Sequence, residues 1–323
     1  KANITAIIAS DQAVIGYAAS VNMEVHISTQ TNVTNLETIR FFSHFADVVI
    51  LSRELSLLQV KEITKEIERQ QIKGPSGNLI KIEIFVHGAL CMAVSGKCYM
   101  SLHTTNSSAN RGACIQNCRK TYTVTDKEDG HQFDIDNEYI MSPKDLCTIG
   151  FLDQVLDSGS SILKIEGRGR SPEYVKTTTQ CYREAADAYL EGTYNKEKIK
   201  GWMSRLTTVY NRGFWDGYYL GQKIGEWTGA HGSKATKKKI YLGKAKKYFT
   251  KIQVAEFDLE AQHLKEGDNI LIAGKTTGII ETIVAEIRIN DKQVKGVKKG
   301  DNFSIKLNHK VRPSDKLYKV INN

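Results

Sequence analysis

Four of the six cysteines lie within 28 residues, in the arrangement Cys91-x6-Cys98-x15-Cys114-x3-Cys118. Cysteine thiolates are soft ligands that bind zinc and iron–sulfur clusters. The spacing lacks the two close Cys-x-x-Cys pairs typical of structural zinc, so it favours an iron–sulfur cluster while zinc stays open. Disulfides are the weaker interpretation, because no secretory leader is recognised and two further cysteines lie outside the group. The sequence therefore predicts a metal centre.

The two remaining cysteines lie on predicted helix starts or faces. Small buried apolar residues are the more ordinary interpretation of Cys147 and Cys181. We keep Cys147 as a reserve ligand.

Polar side chains alternate with apolar ones along two predicted strands. Glu83 and His87 share one face of the strand Ile82–His87, where a carboxylate and an imidazole could position a substrate or move a proton. A buried ion pair is the competing interpretation. The second strand ends in basic residues suited to phosphate or carboxylate, although a lattice of structural salt bridges remains open. We expect five candidate catalytic residues to line one cavity: Glu83, His87, Lys164, Glu166 and Arg168.

Three arginines are candidate substrate-binding residues. Arg111 and Arg119 flank the cysteines, where positive charge favours thiolates and could hold a small anion. Arg212 lies in an aromatic stretch that offers stacking surfaces for a base as well as ordinary packing.

The elements that position these residues alternate between strands and helices. The predicted strands are Ile4–Ala9, Val25–Ser28, Val48–Ser52, Ile82–His87, Glu138–Met141 and Ile162–Glu166. Helices are predicted to begin at Asn35 and at Ser142, and to run over Leu55–Gln70 and Pro172–Gly192. This α/β pattern fits a doubly wound sheet or a (β/α) barrel. We predict the barrel, incomplete at its N-terminus, because polar motifs follow the strand ends.

A composition change at Gly221 divides the chain into predicted domains 1–220 and 221–323. The second has short strands broken by glycine and lysine, which predicts a small all-β barrel of six or seven strands. Residues 222–323 contain 21 basic and 11 acidic residues, a net charge of +10, whereas residues 1–221 carry −1. Such asymmetry indicates a polyanionic partner, with a solubilising lysine surface as the alternative. The candidate contacts are Lys237, Lys238 and Lys239.

Overall composition is that of a soluble globular protein, with 41% hydrophobic and 25% charged residues. No apolar run approaches the roughly 20 residues that a membrane helix needs. We expect no membrane partner and a cytoplasmic location.

The segment Glu83-Ile-Phe-Val-His-Gly-Ala-Leu-Cys-Met-Ala-Val-Ser-Gly-Lys-Cys resembles the signature of the collagenase-like peptidases of unknown catalytic type. Later blocks resemble the family in the same order, over most of residues 80–221: Asn110–Arg119, Ser142–Leu146, Leu163–Arg168 and Asn211–Phe214. The basic tail resembles the family's C-terminal barrel, which is similar to the second domain of translation elongation factors.

This resemblance implies an iron–sulfur cluster, of the 4Fe-4S kind, held by Cys91, Cys98, Cys114 and Cys118. The family includes the tRNA hydroxylation proteins, implicated with prephenate in forming 5-hydroxyuridine at the wobble position, and relatives that act on 23S rRNA and on ubiquinone precursors. The translation-factor-like tail favours the tRNA branch, so we expect a tRNA-modifying hydroxylase. A peptidase and a non-catalytic RNA-binding protein are the alternatives. No nucleophile with its base supports the peptidase, because thiols that bind a cluster cannot attack a substrate.

Overall fold

The computed structural model describes residues 3–130, 132–133, 141–221, 225–229 and 232–323, which form two compact units. Unit 1 comprises Lys1–Arg168, Thr178–Met203 and Asn211–Lys234. Unit 2 comprises Gly169–Thr177, Ser204–Tyr210 and Ala235–Asn323. The chain therefore passes between the units several times.

Unit 1 contains a seven-stranded mixed sheet in the order β1-β2-β3-β4-β7-β9, with β8 also paired to β4. Its strands are β1 (Ala6–Ala9), β2 (Glu24–Ile27), β3 (Val48–Ile50), β4 (Lys81–Ala89), β7 (Asp145–Cys147), β8 (Ile162–Ile165) and β9 (Phe214–Trp215). A separate two-stranded sheet pairs β5 (Val124–Thr125) with β6 (Gln132–Phe133).

Strands β1 to β4 are parallel, and β8 is parallel to β4. Strand β3 is buried throughout, as expected for a parallel strand covered on both faces. The predicted α/β class is confirmed. Among the described strands, however, β1 pairs only with β2 and β9 only with β7, so the sheet is open and the predicted barrel closure is not seen.

Seven α-helices lie in the described part of the chain. They are α1 (Gln12–Ser20), α2 (Leu36–Phe42), α3 (Leu57–Arg69), α4 (Met100–Thr105), α5 (Leu152–Asp157), α6 (Pro172–Leu190) and α7 (Lys196–Leu206). The predicted Asn35 cap is confirmed, because its side chain accepts a hydrogen bond from the Thr38 amide. Ser56 and Gln59 form a capping box that sets the start of α3.

The prediction of a helix beginning at Ser142 is wrong. The segment continues as strand β7, which pairs antiparallel with β4 and parallel with β9. Burial of Leu146 and Cys147 within the sheet overrides the local helix-start signal of Ser142-Pro143. The preceding strand predicted at Glu138–Met141 lies almost wholly outside the described residues.

Unit 2 is built on an antiparallel sheet of eight strands, in the order β14-β13-β19-β10-β11-β18-β15-β16, with β12 and β17 paired separately. Its strands are β10 (Lys237–Phe249), β11 (Val254–Leu259), β12 (His263–Lys265), β13 (Asn269–Gly274), β14 (Gly278–Ile283), β15 (Ile287–Ile289), β16 (Lys292–Val294), β17 (Gly296–Lys298), β18 (Asn302–Lys306) and β19 (Lys316–Asn322). Leu242, Phe257, Ile272, Phe303 and Leu317 lie in one hydrophobic core. The all-β character of the tail is confirmed, whereas closure of this sheet into a barrel is not seen among these strands.

In the described part of the chain, no helix is both long enough and apolar enough to cross a membrane.

The pairing of strand β10 with β19 shifts register between Tyr241 and Gly243. A Cβ added at Gly243 would lie 1.9 Å from the carbonyl oxygen of Asp258, a backbone atom of the paired strand that cannot rotate away. We expect Gly243→Ala to lower the free energy of unfolding by about 1–3 kcal/mol, measured by thermal and denaturant unfolding. Gly201→Ala is the control, because Gly201 lies in α7 with open space around it, and it should be neutral or stabilising. Equal effects of the two substitutions would contradict the steric explanation.

Candidate metal centre

The four clustered cysteines lie on the segment that follows strand β4. Cys91 comes two residues after the strand ends, Cys98 precedes α4, Cys114 lies between two short 3₁₀ turns, and Cys118 lies in the second of them. Cys91 and Cys114 are exposed, and Cys98 and Cys118 are half-buried. None of the six cysteines, all of which are described, forms a disulfide.

The buried Asn117 side chain folds the cysteine segment upon itself. Its amide nitrogen donates to the carbonyl oxygen of Met100 at 3.4 Å and also to the Thr104 hydroxyl. The Ile115 amide donates to the Ser101 hydroxyl at 3.1 Å. These bonds tie α4 to the turn that carries Cys118, so cysteines distant in sequence are held in one region.

Arg119 anchors this segment to the end of the sheet. Its guanidinium donates to the carbonyl oxygens of Leu90 and Pro143, at 2.5 Å and 3.0 Å, and to the Ser142 hydroxyl at 3.3 Å. Burial and the neighbouring Arg212 lower the pKa of Arg119, whereas Cys118 acts in the opposite direction. The predicted substrate-binding arginine therefore already serves as a structural donor.

The thiols influence one another electrostatically. Burial raises the pKa of the Cys118 thiol, Arg119 opposes this, and Cys91, Cys114 and Cys98 raise it further because several negative charges in one place repel. The charges of the other three predicted ligands thus influence the Cys118 thiol.

The spacing of the four cysteine thiols can be compared with the spacing that a zinc ion or an iron–sulfur cluster requires. In the described residues, no three cysteine, histidine or acidic side chains are grouped as a site for a metal ion. A tetrahedral zinc ion with Zn–S bonds of about 2.3 Å draws its four sulfurs to within roughly 4 Å of one another. A cluster of several irons is larger, so its cysteines stand further apart. The four described thiols are therefore not gathered around a single metal-ion position.

Cys147 lies in a different environment from these four. It is buried in β7, and its sulfur lies 3.8 Å from that of Met203 and 3.9 Å from the Tyr182 hydroxyl. Burial raises the pKa of Cys147 to about 12. Cys181 is also buried, with its sulfur 3.9 Å from the Trp202 carbonyl oxygen. Both cysteines are buried, in β7 and α6, and neither lies on the segment that follows β4.

Arg212 is held in a buried ion pair. Its Nη1 lies 3.3 Å from Oδ1 of Asp145, and its backbone amide donates to Oδ2 of the same carboxylate at 3.2 Å. Its Nη2 donates to the Gln116 side chain at 3.3 Å, next to the turn that carries Cys118. Arg212 therefore joins β7 to the cysteine segment.

Glu83 is buried, with only 4% of its surface exposed. Lys164 Nζ lies 2.5 Å from Glu83 Oε1, and His26 Nδ1 lies 3.0 Å from Oε2. Both carboxylate oxygens thus face a cationic or titratable partner. This trio can hold a charge or pass a proton along parallel strands β2, β4 and β8.

His87 has other neighbours. Its Nδ1 lies 3.4 Å from the Tyr182 hydroxyl, and its ring packs against those of Tyr182 and Phe214. The pairing of β4 with β8 shifts register between Phe85 and His87, so the simple alternation that places His87 with Glu83 is interrupted. The structure brings Glu83 and Lys164 together and gives His87 separate contacts.

The remaining predicted residues lie at the ends of elements or on the surface. Glu166 accepts a hydrogen bond from the Arg168 amide at 2.7 Å, and its charge acts on Arg53, whereas the Arg168 side chain is exposed. Arg111 is exposed in a 3₁₀ turn. The three candidate RNA-binding lysines, Lys237, Lys238 and Lys239, begin β10 in unit 2.

Sequence reasoning missed His26, Arg53 and Asp145. His26 alternates with buried Val25 and Ile27 on β2, the same pattern that singled out Glu83. Arg53 lies just beyond the carboxyl end of β3, where sites of parallel sheets form. The helix predicted to begin at Ser142 includes Asp145, so the sequence does not indicate that Asp145 lies in the sheet.

These features define a class of α/β protein in which four cysteines follow a central strand of the sheet. Comparison with known families then identifies it: the family described as Peptidase family U32 matches residues 1–229, and the chain belongs to this family. The resemblance seen in the sequence is confirmed.

Relatives of this chain carry two kinds of name. A protein of Porphyromonas gingivalis named collagenase is 57% identical over 319 residues, covering 99% of this chain and 77% of that protein. The tRNA hydroxylation protein P1 of Bacillus subtilis is 33% identical, covering 87% and 67%. A 23S rRNA 5-hydroxycytidine synthase of Escherichia coli is 37% identical, covering 52% and 24%.

The burial of Cys147 predicts low thiol reactivity. With a pKa of about 12, only about one Cys147 thiol in ten thousand is ionised at pH 8, and thiolate is the form that reacts. In metal-free folded protein, iodoacetamide at pH 8 should modify exposed Cys91 and Cys114 first and Cys147 only after denaturation, as measured by peptide mass spectrometry. Early modification of Cys147 would contradict this placement.

Proposed function

We propose that this protein is an RNA-modifying enzyme that hydroxylates a pyrimidine, and that Cys91, Cys98, Cys114 and Cys118 hold an iron–sulfur cluster. The observation that carries the proposal is the position of all four cysteines on the one segment that follows strand β4, where none of them forms a disulfide. Relatives named for tRNA hydroxylation and for 5-hydroxycytidine synthesis support the reaction class.

When bound, an iron–sulfur cluster supplies one-electron redox chemistry. The residues of the chain provide its surroundings. Arg119 and Arg53 lie near Cys91, and their positive charges offset the negative charge of a thiolate-ligated cluster. Arg119 also fixes the loop through its bonds to backbone oxygens. Buried Glu83, with the half-buried Lys164 and His26, forms a group able to take up or release a proton.

The finer proposal is that the substrate is tRNA and the product 5-hydroxyuridine at the wobble position, with prephenate as a participating small molecule. The relatives named for tRNA hydroxylation and the basic unit 2 support this choice. The 4Fe-4S form belongs to the same proposal.

A peptidase is the second candidate, favoured by the name of the family and by the 57% identical relative named collagenase. Cysteine attack on a peptide requires an accessible thiolate next to a base. Cys147 lies near the Tyr182 hydroxyl, which in turn lies near His87, but burial of Cys147 keeps its thiol protonated. We therefore place the peptidase second.

The cluster is tested by Cys91→Ser and Cys118→Ser, with Cys181→Ser as the control because Cys181 is buried elsewhere. We expect the first two proteins, purified anaerobically, to lose most of their iron and acid-labile sulfide and the third to retain both. A serine hydroxyl is a poor ligand for these clusters because it is hard and remains protonated. Wild-type iron content in both ligand variants would overturn the cluster.

The same variants, with Glu83→Gln, test the reaction in a deletion strain complemented with each gene. Nucleoside analysis of tRNA and rRNA should show a hydroxylated pyrimidine that disappears on deletion and returns with wild type and with Glu24→Gln. Glu24 is the matched control, because its carboxylate lies 3.4 Å from His26 Nε2 yet is largely exposed. An unchanged nucleoside profile, together with cleavage of gelatin by purified protein, would favour the peptidase.

We propose that unit 2 supplies RNA affinity. Lys237 and Lys238 are exposed at the start of β10. Lys239 Nζ instead lies 2.6 Å from Glu173 Oε1 and 5.1 Å from the centre of the Tyr318 ring, so part of its charge is already neutralised within unit 2. The best candidates for binding phosphate are therefore the first two lysines of the three.

Charge reversal of Lys237 and Lys238 to glutamate should weaken tRNA binding, because a protein that neutralises fewer phosphates releases fewer counterions. The slope of log affinity against log salt should fall in magnitude by roughly 0.7 to 0.9 for each phosphate that the variant no longer neutralises. The control reverses Lys61 and Lys65, exposed on α3 of unit 1, which gives the same change in net charge. Equal reductions in affinity for both proteins, measured by salt-titrated binding, would assign the effect to net charge alone.

A further inference from the structure

Two tyrosines lie opposite each other on adjacent strands of unit 2. Tyr241 of β10 pairs directly with Tyr318 of β19, and their ring centroids lie 5.7 Å apart at an interplanar angle of 68°. Leu242 follows the first tyrosine and Leu317 precedes the second, and both leucines are buried in the hydrophobic core. Because successive side chains of a strand point to opposite faces, the two tyrosines lie on the face away from this core, where each is partly exposed.

Lysines flank the tyrosine pair on the same face. Lys237 and Lys239 lie at alternate positions before Tyr241 on β10, so strand alternation places them on its side of the sheet. Lys316 lies two residues before Tyr318 on β19 and shares its side for the same reason. Lys239 Nζ lies 5.1 Å from the centre of the Tyr318 ring. Lys237 and Lys316 are exposed, and neither has an ion-pair partner among the described residues.

The register shift in β10 adds a fourth lysine to this face. The shift after Tyr241 places Lys244 directly opposite Lys316. Glu260 supports this placement, because one carboxylate oxygen accepts a hydrogen bond from the Tyr241 hydroxyl at 2.6 Å and the other lies 3.1 Å from Lys244 Nζ. Lys244 therefore already has an acidic partner within unit 2, whereas Lys316 is available to a ligand.

Rings and cations on one sheet face fit an unpaired strand of nucleic acid. Aromatic side chains on a sheet bind unpaired bases by stacking, and lysines beside them bind the phosphates of the same strand. A duplex keeps its bases stacked inside and offers no free base face to a tyrosine. An acidic peptide could bind the lysines but would leave the two rings without a matching partner.

We propose that Tyr241 and Tyr318 stack unpaired bases of single-stranded RNA while Lys237 and Lys316 bind its phosphates. The inference rests on the proposed RNA affinity of unit 2, and it adds the kind of RNA that binds and the residues that hold its bases.

The test measures binding of a fluorescein-labelled oligouridylate of about twelve nucleotides to the full chain, by fluorescence anisotropy over a series of salt concentrations. Tyr241→Ala and Tyr318→Ala should each weaken binding by roughly 5- to 100-fold, because a base loses its stacking partner. Neither change removes a cation, so the slope of log affinity against log salt should stay the same.

Lys316→Ala should give the opposite signature. Its salt slope should fall in magnitude by about 0.7, because one phosphate of a single strand is no longer neutralised. Tyr318→Phe, which keeps the ring, should retain most of the affinity. Phe249→Ala is the matched control, because Phe249 is an exposed ring of β10 that lies 4.9 Å from Lys247 Nζ but outside the tyrosine pair. It should bind like wild type.

Circular dichroism checks folding, since cross-strand aromatic pairs also stabilise sheets. If an alanine variant unfolds, Tyr241→Leu and Tyr318→Leu, which keep an apolar side chain without a ring, decide in its place. Tyrosine variants with wild-type affinity, or an equal loss in Phe249→Ala, would overturn the proposal. So would an equal loss for an oligouridylate–oligoadenylate duplex, whose bases are paired. Displacement of the labelled strand by polyglutamate as effectively as by unlabelled oligouridylate would assign the face to polyanions in general and overturn it too.

This assay separates the stacking site from the proposed reaction. It measures binding of an unmodified oligonucleotide, whereas nucleoside analysis reports hydroxylation in cells. Absence of oligouridylate binding by the wild-type chain would overturn the stacking site, and hydroxylation would still be decided by nucleoside analysis. Binding that the tyrosine variants leave unchanged would overturn the stacking site alone and leave the RNA affinity of unit 2 in place.

Discussion

The Arg119 guanidinium joins the two backbone segments on which the candidate metal centre depends. It donates to Leu90, just before Cys91, and to Pro143, just before β7, while its own backbone adjoins Cys118. One side chain thus links the strand end, the cysteine loop and the next strand of the sheet. Because burial makes its charge costly, Arg119 stays in place only with these acceptors satisfied, which couples loop position to sheet integrity.

Two ion pairs, one buried and one part-buried, extend this coupling into the sheet. Asp145 on β7 holds Arg212, which reaches Gln116, and Glu83 on β4 holds Lys164 on β8. Removing one member of a buried pair costs more than the pair contributes, since the remaining charge is left without compensation. Arg212 is therefore fixed between β7 and the cysteine segment by contacts on both sides.

In unit 2, most charged side chains are separated from the hydrophobic core. Its hydrophobic cluster includes Phe257 stacked on Phe303. Most of its charged side chains lie outside this cluster, although Asp268 and Asp315 are buried. Alternation along antiparallel strands permits this separation. Many of its lysines have acidic neighbours, such as Lys244 with Glu260 and Lys319 with Asp268. The net positive charge is consequently carried by a subset of lysines, among which Lys237 and Lys238 are exposed.

The sequence by itself determined the features that depend on local chemistry. Cysteine type and spacing predicted a metal centre, the Asn35 cap marked a helix start, and short β-branched runs located the strands β1 to β4. Charge counting separated a basic tail from a nearly neutral first part. These features can be predicted because each depends on residues close together in the chain, where backbone geometry fixes the relative positions of neighbouring side chains.

Tertiary structure decided what depends on partners from distant elements. Ser142-Pro143 carries a helix-start signal, yet pairing with β4 and β9 makes the following residues a strand. The register shift after Phe85 gives His87 aromatic neighbours, while His26, 57 residues earlier than Glu83, supplies the partner that Glu83 binds. A cavity beside Cys91 is lined by Thr29, Arg53 and Trp215, which come from three separate regions of the chain. No local sequence pattern predicts these contacts between distant residues, because strand pairing and side-chain burial are determined only when the whole core packs.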